Sequence, residues 1–578
     1  MINRMRKVLL ARATWGLIGA LIAFEARGQD LPVPPPILNR DVVPMLPMSR
    51  MATSVIYSIG QPTGEEQYYL ELLNRARANP AAEGARLAST SDLDVLNSYK
   101  YYSVNLTMMQ SEFKALSVQP PLAMNASLMQ AARAHASDMF NKQFQGHNGS
   151  NGSTMSDRIT GAGYAWKTIG ENVYSYADSV WHGHAGFQVD WGSGTGGMQS
   201  ARGHRANIHS AKFREVGVGV VSGTNGSVGP QLVTQDFGTG TASQAFITGV
   251  AYYDVDGDGF YDPGEGIGGL TVQAQGASQT ALTANSGGYA IPVPTSNASR
   301  LTTFSGLSLS FSANAVITSG KNVKVDFKPA YKPPVVTGST VPSVGVASTY
   351  KFSVLGGATA YDWRLCRESP VAFDGGENLL RGVVHSAGGY SLISKTVKFS
   401  GSAAYRFAQP KLNRDETFTY TAEFLPGRAA SLSFRSRLGW ASKTQFAKIQ
   451  VSRNGGATWS DVYSQAGSGS AGETGFQMRT ISLASYAGTP IRLRLNYTMT
   501  TGTTAYYQTD DRTGWFVDDV LFYDVGELSA PVIKAASAGG SFVFTPPAAG
   551  TYYLAVRPII SARAWAFGPQ LKVVASKK

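Results

Sequence analysis

The chain has 578 residues, 43% of them hydrophobic and 15% charged, with 64 Gly, 27 Pro, one Cys and a formal charge of +12. That length suits several domains with separate cores, and the Gly and Pro content excludes a long helical bundle and favours turn-rich β modules. A single cysteine excludes a disulfide-stapled array and any cysteine-based zinc cluster, and the lack of a dense Lys/Arg run argues against nucleic acid as a partner. Six of the seven histidines fall between His135 and His209, the other being His385. Imidazole chemistry is therefore expected in one early segment.

In chain order, Arg4, Arg6, Lys7 and Arg12 precede the apolar run Trp15 to Phe24, and Ala26-Arg27-Gly28 supplies small residues for cleavage. This pattern predicts a signal peptide over 1–28, cleaved near Gly28, because the run is too short to span a bilayer. A retained N-terminal anchor is the alternative. Cleavage removes five basic side chains and one acid, lowering the formal charge by four. No other stretch reaches a spanning length, so the mature chain is expected to have no transmembrane segment and to be secreted or held at the cell surface. Lone Cys366 is expected to be a buried small hydrophobe.

A Pro-rich leader occupies 29–60. Thr63 and Glu66 then form a capping-box pattern ahead of Tyr69, Leu70, Leu72 and Leu73, which predicts a helix. A second helix is predicted from about Asn125 to Phe140, with Leu128, Ala132, His135 and Met139 on one face. Past about residue 243, short alternating strands such as Tyr350 to Val354 and Ile491 to Leu495 take over, separated by Gly/Ser/Thr/Asn turns.

The histidine-rich segment carries four separated motifs: Leu72-Leu73-Asn74-Arg75-Ala76-Arg77-Ala78-Asn79-Pro80, then Gly146-His147-Asn148 followed by Asp157-Arg158-Ile159, then Gly170-Glu171-Asn172-Val173, then Gly203-His204-Arg205-Ala206-Asn207-Ile208 running into Phe213 to Val220. Their order resembles the bacterial branch of the CAP superfamily (cysteine-rich secretory proteins, antigen 5, pathogenesis-related proteins) over about residues 61–242. The resemblance implies an α-β-α sandwich with a central cleft lined by two histidines and two acids, where some members bind a divalent metal. Carried over by motif, the histidines are His147 and His204 and one acid is Glu171. The stretch from Trp181 to His204 departs from the family's usual helix, and Asp190 is the best candidate for the second acid.

Two imidazoles with one or two carboxylates match the ligand softness of zinc, or of another divalent metal, with a position open for water. A metal-bound water would be the nucleophile of a metal-dependent reaction, and a His–Glu pair could move a proton without metal. Structural hydrogen bonding across the cleft is the alternative use of the same groups. His135, on an apolar helix face, is expected in the core, while surface positions are expected for His209 and His385. His182 and His184 either extend a metal site or lie in an exposed loop. No His-Glu-x-x-His stretch and no Gly-x-Ser-x-Gly elbow is present, which counts against a standard hydrolase.

Asp254, Asp256, Asp258, Gly259, Asp262 and Glu265 occupy positions 1, 3, 5, 6, 9 and 12 of a calcium loop, with Phe260 offering its carbonyl at position 7. The flanks, Phe246 to Tyr253 and Leu270 to Ala274, read as strands rather than EF-hand helices. Residues 243–330 resemble the calcium-binding β-sandwich repeats of bacterial surface adhesins, with calcium as a structural staple. Residues 331–364 and 528–578 resemble the two halves of an immunoglobulin-like or PKD-type module. Between them, 365–527 resembles a jelly roll of the MAM or concanavalin-like kind. Asp518 and Asp519 could hold a second calcium and the jelly-roll aromatics could stack on sugars, although Trp515 is expected to be core.

The expected fold is thus multidomain, an α-β-α sandwich followed by all-β sandwich modules. The expected function is extracellular binding of a lipid, peptide, glycan or other small or cell-surface ligand by the His147/Glu171/His204 cleft. Two alternatives stay open: a metal-dependent hydrolase with His147 and His204 as ligands and Glu171 as base, and an adhesin binding carbohydrate through its jelly roll.

Overall fold

The computed structural model describes residues 55–385, 389–410, 415–499 and 506–577. The signal peptide expected over 1–28 and most of the leader lie outside the described residues. The chain divides into two compact units: the first runs to Lys332 and regains Leu355–Thr359 and Ile559–Arg563, and the second takes Pro333–Val354, Ala360–Pro558 and Ala564–Lys578.

The first unit opens with helix Gly64–Ala78. Its capping box is formed: the Glu66 amide donates to Thr63 Oγ1 at 3.2 Å and the Thr63 amide to Glu66 Oε2 at 2.7 Å. Helix Ala126–Lys142 starts at Asn125, whose side chain accepts from the Ser127 and Leu128 amides. A four-stranded sheet runs in the order Ala123–Met124, Glu215–Ser222, Gln231–Gly240, Trp166–Ala177.

Period-two alternation gives strand Glu215–Ser222 two unlike faces. Val216 and Val218 share a buried cluster with Tyr69, Leu72 and Leu73 of the first helix. Gly217 and Gly219 face helix Ala126–Lys142 so closely that a Cβ on either would lie 2.0 Å from the Leu128 backbone or 2.3 Å from that of Arg133. Helix, sheet and helix therefore stack as three layers, as the family resemblance implied.

Strands Ala245–Val250 and Thr271–Ala274 flank the acidic loop, in agreement with the strand reading of its flanks. They belong to a three-stranded sheet and a five-stranded sheet respectively. Strand Ile56–Tyr57, from the end of the stretch read as leader, joins the five-stranded sheet in parallel with Thr280 and Ala281.

The second unit is all-β. Ser348–Phe352 pairs with Ser541–Phe544, Tyr350 opposite Phe542, and Ala358–Pro370 pairs with Val532–Ala536. Between these segments in sequence, Glu423–Ala441 pairs along Gly514–Leu528, and a separate five-stranded sheet contains Gln445–Ser452 and Arg492–Met499. Phe418, Leu432, Phe434, Ile449, Leu493, Leu495 and Trp515 fill one core. Cys366 is fully buried among Leu425, Leu528 and Tyr553, as its reading as a small hydrophobe anticipated.

Candidate functional site

The cleft residues named from sequence form two histidine–carboxylate pairs. His147 follows helix Ala126–Lys142 in a loop, and its Nδ1–H donates to Glu171 Oε1 at 2.9 Å. Arg158 Nη2 donates to Glu171 Oε2 at 2.5 Å and to the His147 carbonyl at 2.9 Å, so one guanidinium ties both partners. His204 opens helix Gly203–Ile208, and its Nδ1–H donates to Asp190 Oδ1 at 2.7 Å while its amide donates to Asp190 Oδ2 at 3.0 Å. Asp190, the candidate for the second acid, is thus paired with His204.

Asn172 and Asn207 link the pairs. Asn207 Nδ2 donates to the Glu171 carbonyl at 3.2 Å and to Asn172 Oδ1 at 2.9 Å, and Asn172 Nδ2 donates to the His204 carbonyl at 3.2 Å. Each histidine thus has its ring set by a carboxylate, while its carbonyl accepts from Arg158 at His147 and from Asn172 at His204.

Asp190 explains why the spacing departs from a regular helix. Helix Val180–Ala185 runs into a π-helical turn, Gly186–Asp190, and Asp190 ends it with φ of +56°. A left-handed Asp is tolerated when local hydrogen bonds fix it, and single π-turns concentrate at functional sites. The extra residue aims a fully buried carboxylate at His204.

Electrostatics separate the two pairs. Burial raises the Glu171 carboxyl, but the His147 hydrogen bond and the Arg158 charge outweigh it and hold the group below its ordinary range. Burial lowers the His204 ring, but the Asp190 charge and hydrogen bond outweigh it and hold the ring above its ordinary value. Asp236, which the sequence reading missed, lies opposite Glu171 in the strand pairing and is fully buried. Burial, then the Glu171 charge, pushes its carboxyl well above the ordinary range. Arg158, Asn172 and Asn207 stand inside motifs noted in the sequence, but their roles depend on partners from other segments.

The other four histidines between 135 and 209 serve the scaffold. His135 is fully buried and its Nε2–H donates to the Gly146 carbonyl at 2.7 Å, the core position expected for it. His182 and His184 are not in an exposed loop: both are buried in helix Val180–Ala185, bonded to Ser98 at 3.0 Å and to Glu83 at 2.9 Å. His209 is likewise buried rather than at the surface, its Nε2–H on Gln188 Oε1 at 3.0 Å. His385 is exposed.

Carboxylate-held imidazoles are the usual outer arrangement around zinc, since Nδ1–H bonding presents Nε2. His147 and His204 fit that use. Glu171 fits as an orienting carboxylate, because both oxygens are already engaged. Among the described residues, no three His, Cys, Asp or Glu donors of the cleft converge within 4.8 Å; the groupings that do are in the acidic loop.

In that loop the ligand oxygens of Asp254, Asp256 and Glu265, and of Asp256, Asp258 and Asp262, lie within 4.8 Å of one another. Glu265 braces the turn, accepting the Val255 amide at 2.7 Å and the Asp262 amide at 2.9 Å, while Gly259 supplies φ of +84°. Burial, with the neighbouring aspartates adding to it, pushes Asp262 up to about 6 and Glu265 up to about 7. Such crowding is what a hard divalent cation relieves, and the donor set fits calcium. In the second unit, Trp515 is fully buried with its Nε1–H on Ser436 Oγ at 3.0 Å, and Asp518 accepts the Phe399 and Ser400 amides at 2.7 and 3.2 Å. Both have structural partners.

Fold and site together define a three-layer domain with a histidine–carboxylate cleft. Residues 70–237 match the model of the cysteine-rich secretory protein family, and this segment is a CAP domain. The chain is 27% identical over 158 residues to the uncharacterized protein YkwD of Bacillus subtilis (strain 168), covering 27% of this chain and 55% of that protein, so it spans about half of that relative's length. Among solved structures, an extracellular protein containing a SCP domain from Bacillus anthracis str. Ames is 20% identical, over 25% of this chain and 39% of that one, with a TM-score of 0.17. A structure described under carbohydrate-binding modules of the β-sandwich superfamily is 12% identical, over 49% of this chain and 99% of that one, with a TM-score of 0.16. No helix among the described residues is long and apolar enough to cross a membrane.

Proposed function

We propose that the chain is an exported binding protein whose CAP cleft takes an extracellular ligand at His147 and His204, on β modules stabilised by calcium in the Asp254–Glu265 loop. The observation that carries this reading is the pair of carboxylate-held imidazoles, joined through Asn172 and Asn207. Such rings are held ready for a ligand or a zinc ion without reorganisation. The basic–apolar N-terminal pattern supports export.

The same geometry argues against Glu171 as the base of a hydrolase. A base needs a free oxygen and a pKa near the working pH, whereas both Glu171 oxygens are bonded and the group is held low. When bound, zinc would supply a Lewis acid at the cleft, with His147 and His204 holding it and Glu171 and Asp190 orienting them.

Calorimetric titration of the calcium-saturated chain with zinc tests the proposal. One equivalent of zinc bound by the wild type and lost in both His147→Ala and His204→Ala is expected. Zinc uptake that both variants retain, or a wild type that takes none, would overturn the assignment.

A further inference from the structure

Away from the CAP domain, the second unit holds an exposed aromatic pair in place at a conformational cost. Trp440 lies near the end of strand Glu423–Ala441 with φ of +53°, yet 47% of its surface is exposed. Left-handed backbone at a bulky residue is strained and persists only where the surroundings over-determine it. About half of the residue stays open to solvent, so packing into a core does not by itself explain the strain.

The surroundings do over-determine it. Gln508 Nε2 donates to the Trp440 carbonyl at 2.9 Å and to the Tyr497 hydroxyl at 2.8 Å. Gln445 grips the Tyr506 main chain from both sides, accepting its amide at 3.2 Å and donating to its carbonyl at 3.1 Å, and also donates to Gln409 at 3.0 Å. These three glutamines are at most 2% exposed. Buried amides are costly unless fully engaged, and here their bonds fix main chain that carries outward-facing rings.

Tyr506 meets Trp440 edge to face, with centroids 6.0 Å apart and planes at 89°. Its hydroxyl donates to the Gly469 carbonyl at 2.7 Å, and the Gly469 amide donates to the Ala441 carbonyl at 2.9 Å, so the turn at 468–470 stands beside both rings. That turn presents the exposed hydroxyls of Ser468 and Ser470, 3.0 Å apart. A rigid aromatic surface therefore adjoins a rim of hydroxyls.

We propose that Trp440 and Tyr506 form a glycan-binding platform, a pyranose ring lying on the indole with its hydroxyls toward Ser468 and Ser470. A pyranose has one face of polarised C–H groups, which suits the negative face of an indole, and an equatorial belt of hydroxyls that needs hydrogen-bond partners. A lipid chain would satisfy the ring and leave the serine rim unpaired. The rings are fixed before binding, so little ordering entropy is lost. The platform is independent of the CAP cleft.

The test uses the full chain, titrated with cellohexaose, chitohexaose, laminarihexaose and mannohexaose by calorimetry and tryptophan fluorescence. At least one of these is expected to bind, and Trp440→Gly is expected to weaken that binding about tenfold or more. Glycine adopts the left-handed conformation freely, which offsets the loss of the half-buried ring, so Trp440→Gly is also expected to fold and to melt within a few degrees of the wild type. Tyr506→Ala, which keeps the main-chain bonds to Gln445, gives a second loss-of-binding variant. Failure of all four hexasaccharides to bind the wild type would overturn the proposal, as would undiminished binding by Trp440→Gly or by Tyr506→Ala.

Discussion

The guanidinium of Arg75 lies 4.7 Å from the ring centroid of Phe260 while clasping Glu83 through two 2.8 Å hydrogen bonds. Arg75 belongs to the first CAP helix and Phe260 to the acidic loop, and Tyr68 of the same helix meets the Phe260 ring at 6.0 Å. Loop and helix therefore share a contact that depends on how the loop is held.

Calcium should consequently stabilise the CAP domain itself. Chelation with EGTA is expected to lower the melting temperature of the CAP transition by several degrees, and Glu265→Gln should abolish the calcium response. Phe260→Ala keeps the backbone carbonyl, so it should retain calcium binding but cost about 1–2 kcal/mol of stability. Scanning calorimetry with and without calcium separates these outcomes.

Calcium affinity should fall as the pH is lowered from 8 to 6. Glu265 at about 7 and Asp262 at about 6 take up protons in that window, and protonated carboxyls are poor ligands. Their raised values also mean that the calcium-free loop is most stable below about pH 4 and loses that stability progressively until pH passes the folded values of about 6 and 7. Calcium titrations at pH 6, 7 and 8 check the trend.

His204 has the opposite partner chemistry with the same sign. A ring whose folded pKa is raised contributes stability that is fully present below its unfolded value of about 6.5 and is lost as pH rises through the folded value. Asp190→Asn removes the charge and keeps one acceptor oxygen, enough for either the His204 ring or the His204 amide but not for both. The stability gap between wild type and Asp190→Asn should be wider at pH 6 than at pH 9, as read by chemical denaturation.

Glu83 is fully buried and accepts from Arg75 and from His184 at 2.9 Å. Burial raises its carboxyl, but the His184 and Arg75 hydrogen bonds outweigh this and hold it far below the usual range. Glu83→Gln should cost about 3 kcal/mol because it leaves the Arg75 guanidinium, only 20% exposed, without its counter-charge. Gly217→Ala should also destabilise, by about 3 kcal/mol or more, since its Cβ meets backbone that cannot yield. Urea unfolding of both variants gives the comparison.

The parts legible in the sequence were those written locally. Thr63 and Glu66 announced the first helix, the acidic spacing announced the loop, and the Gly-His motifs placed His147 and His204. The parts that were not legible depend on burial and on partners far along the chain. His184 reads as a loop residue until Glu83, 101 positions away, supplies its acceptor. Asp190 stands in a stretch that departs from the family's usual helix because a π-turn, not a regular helix, carries it to His204. Asp236 gave no signal because its neighbour Glu171 is reached only through strand pairing. Trp440 is one aromatic among many until its backbone conformation is seen.

The most direct test of the cleft follows the histidine ring signals of the full, calcium-loaded chain by NMR during zinc addition. The predicted result is that His147 and His204 shift together and saturate near one equivalent, while His135, His182, His184 and His209 stay still. Zinc uptake that leaves His147 and His204 unmoved, or that shifts His182 and His184 first, would contradict the account.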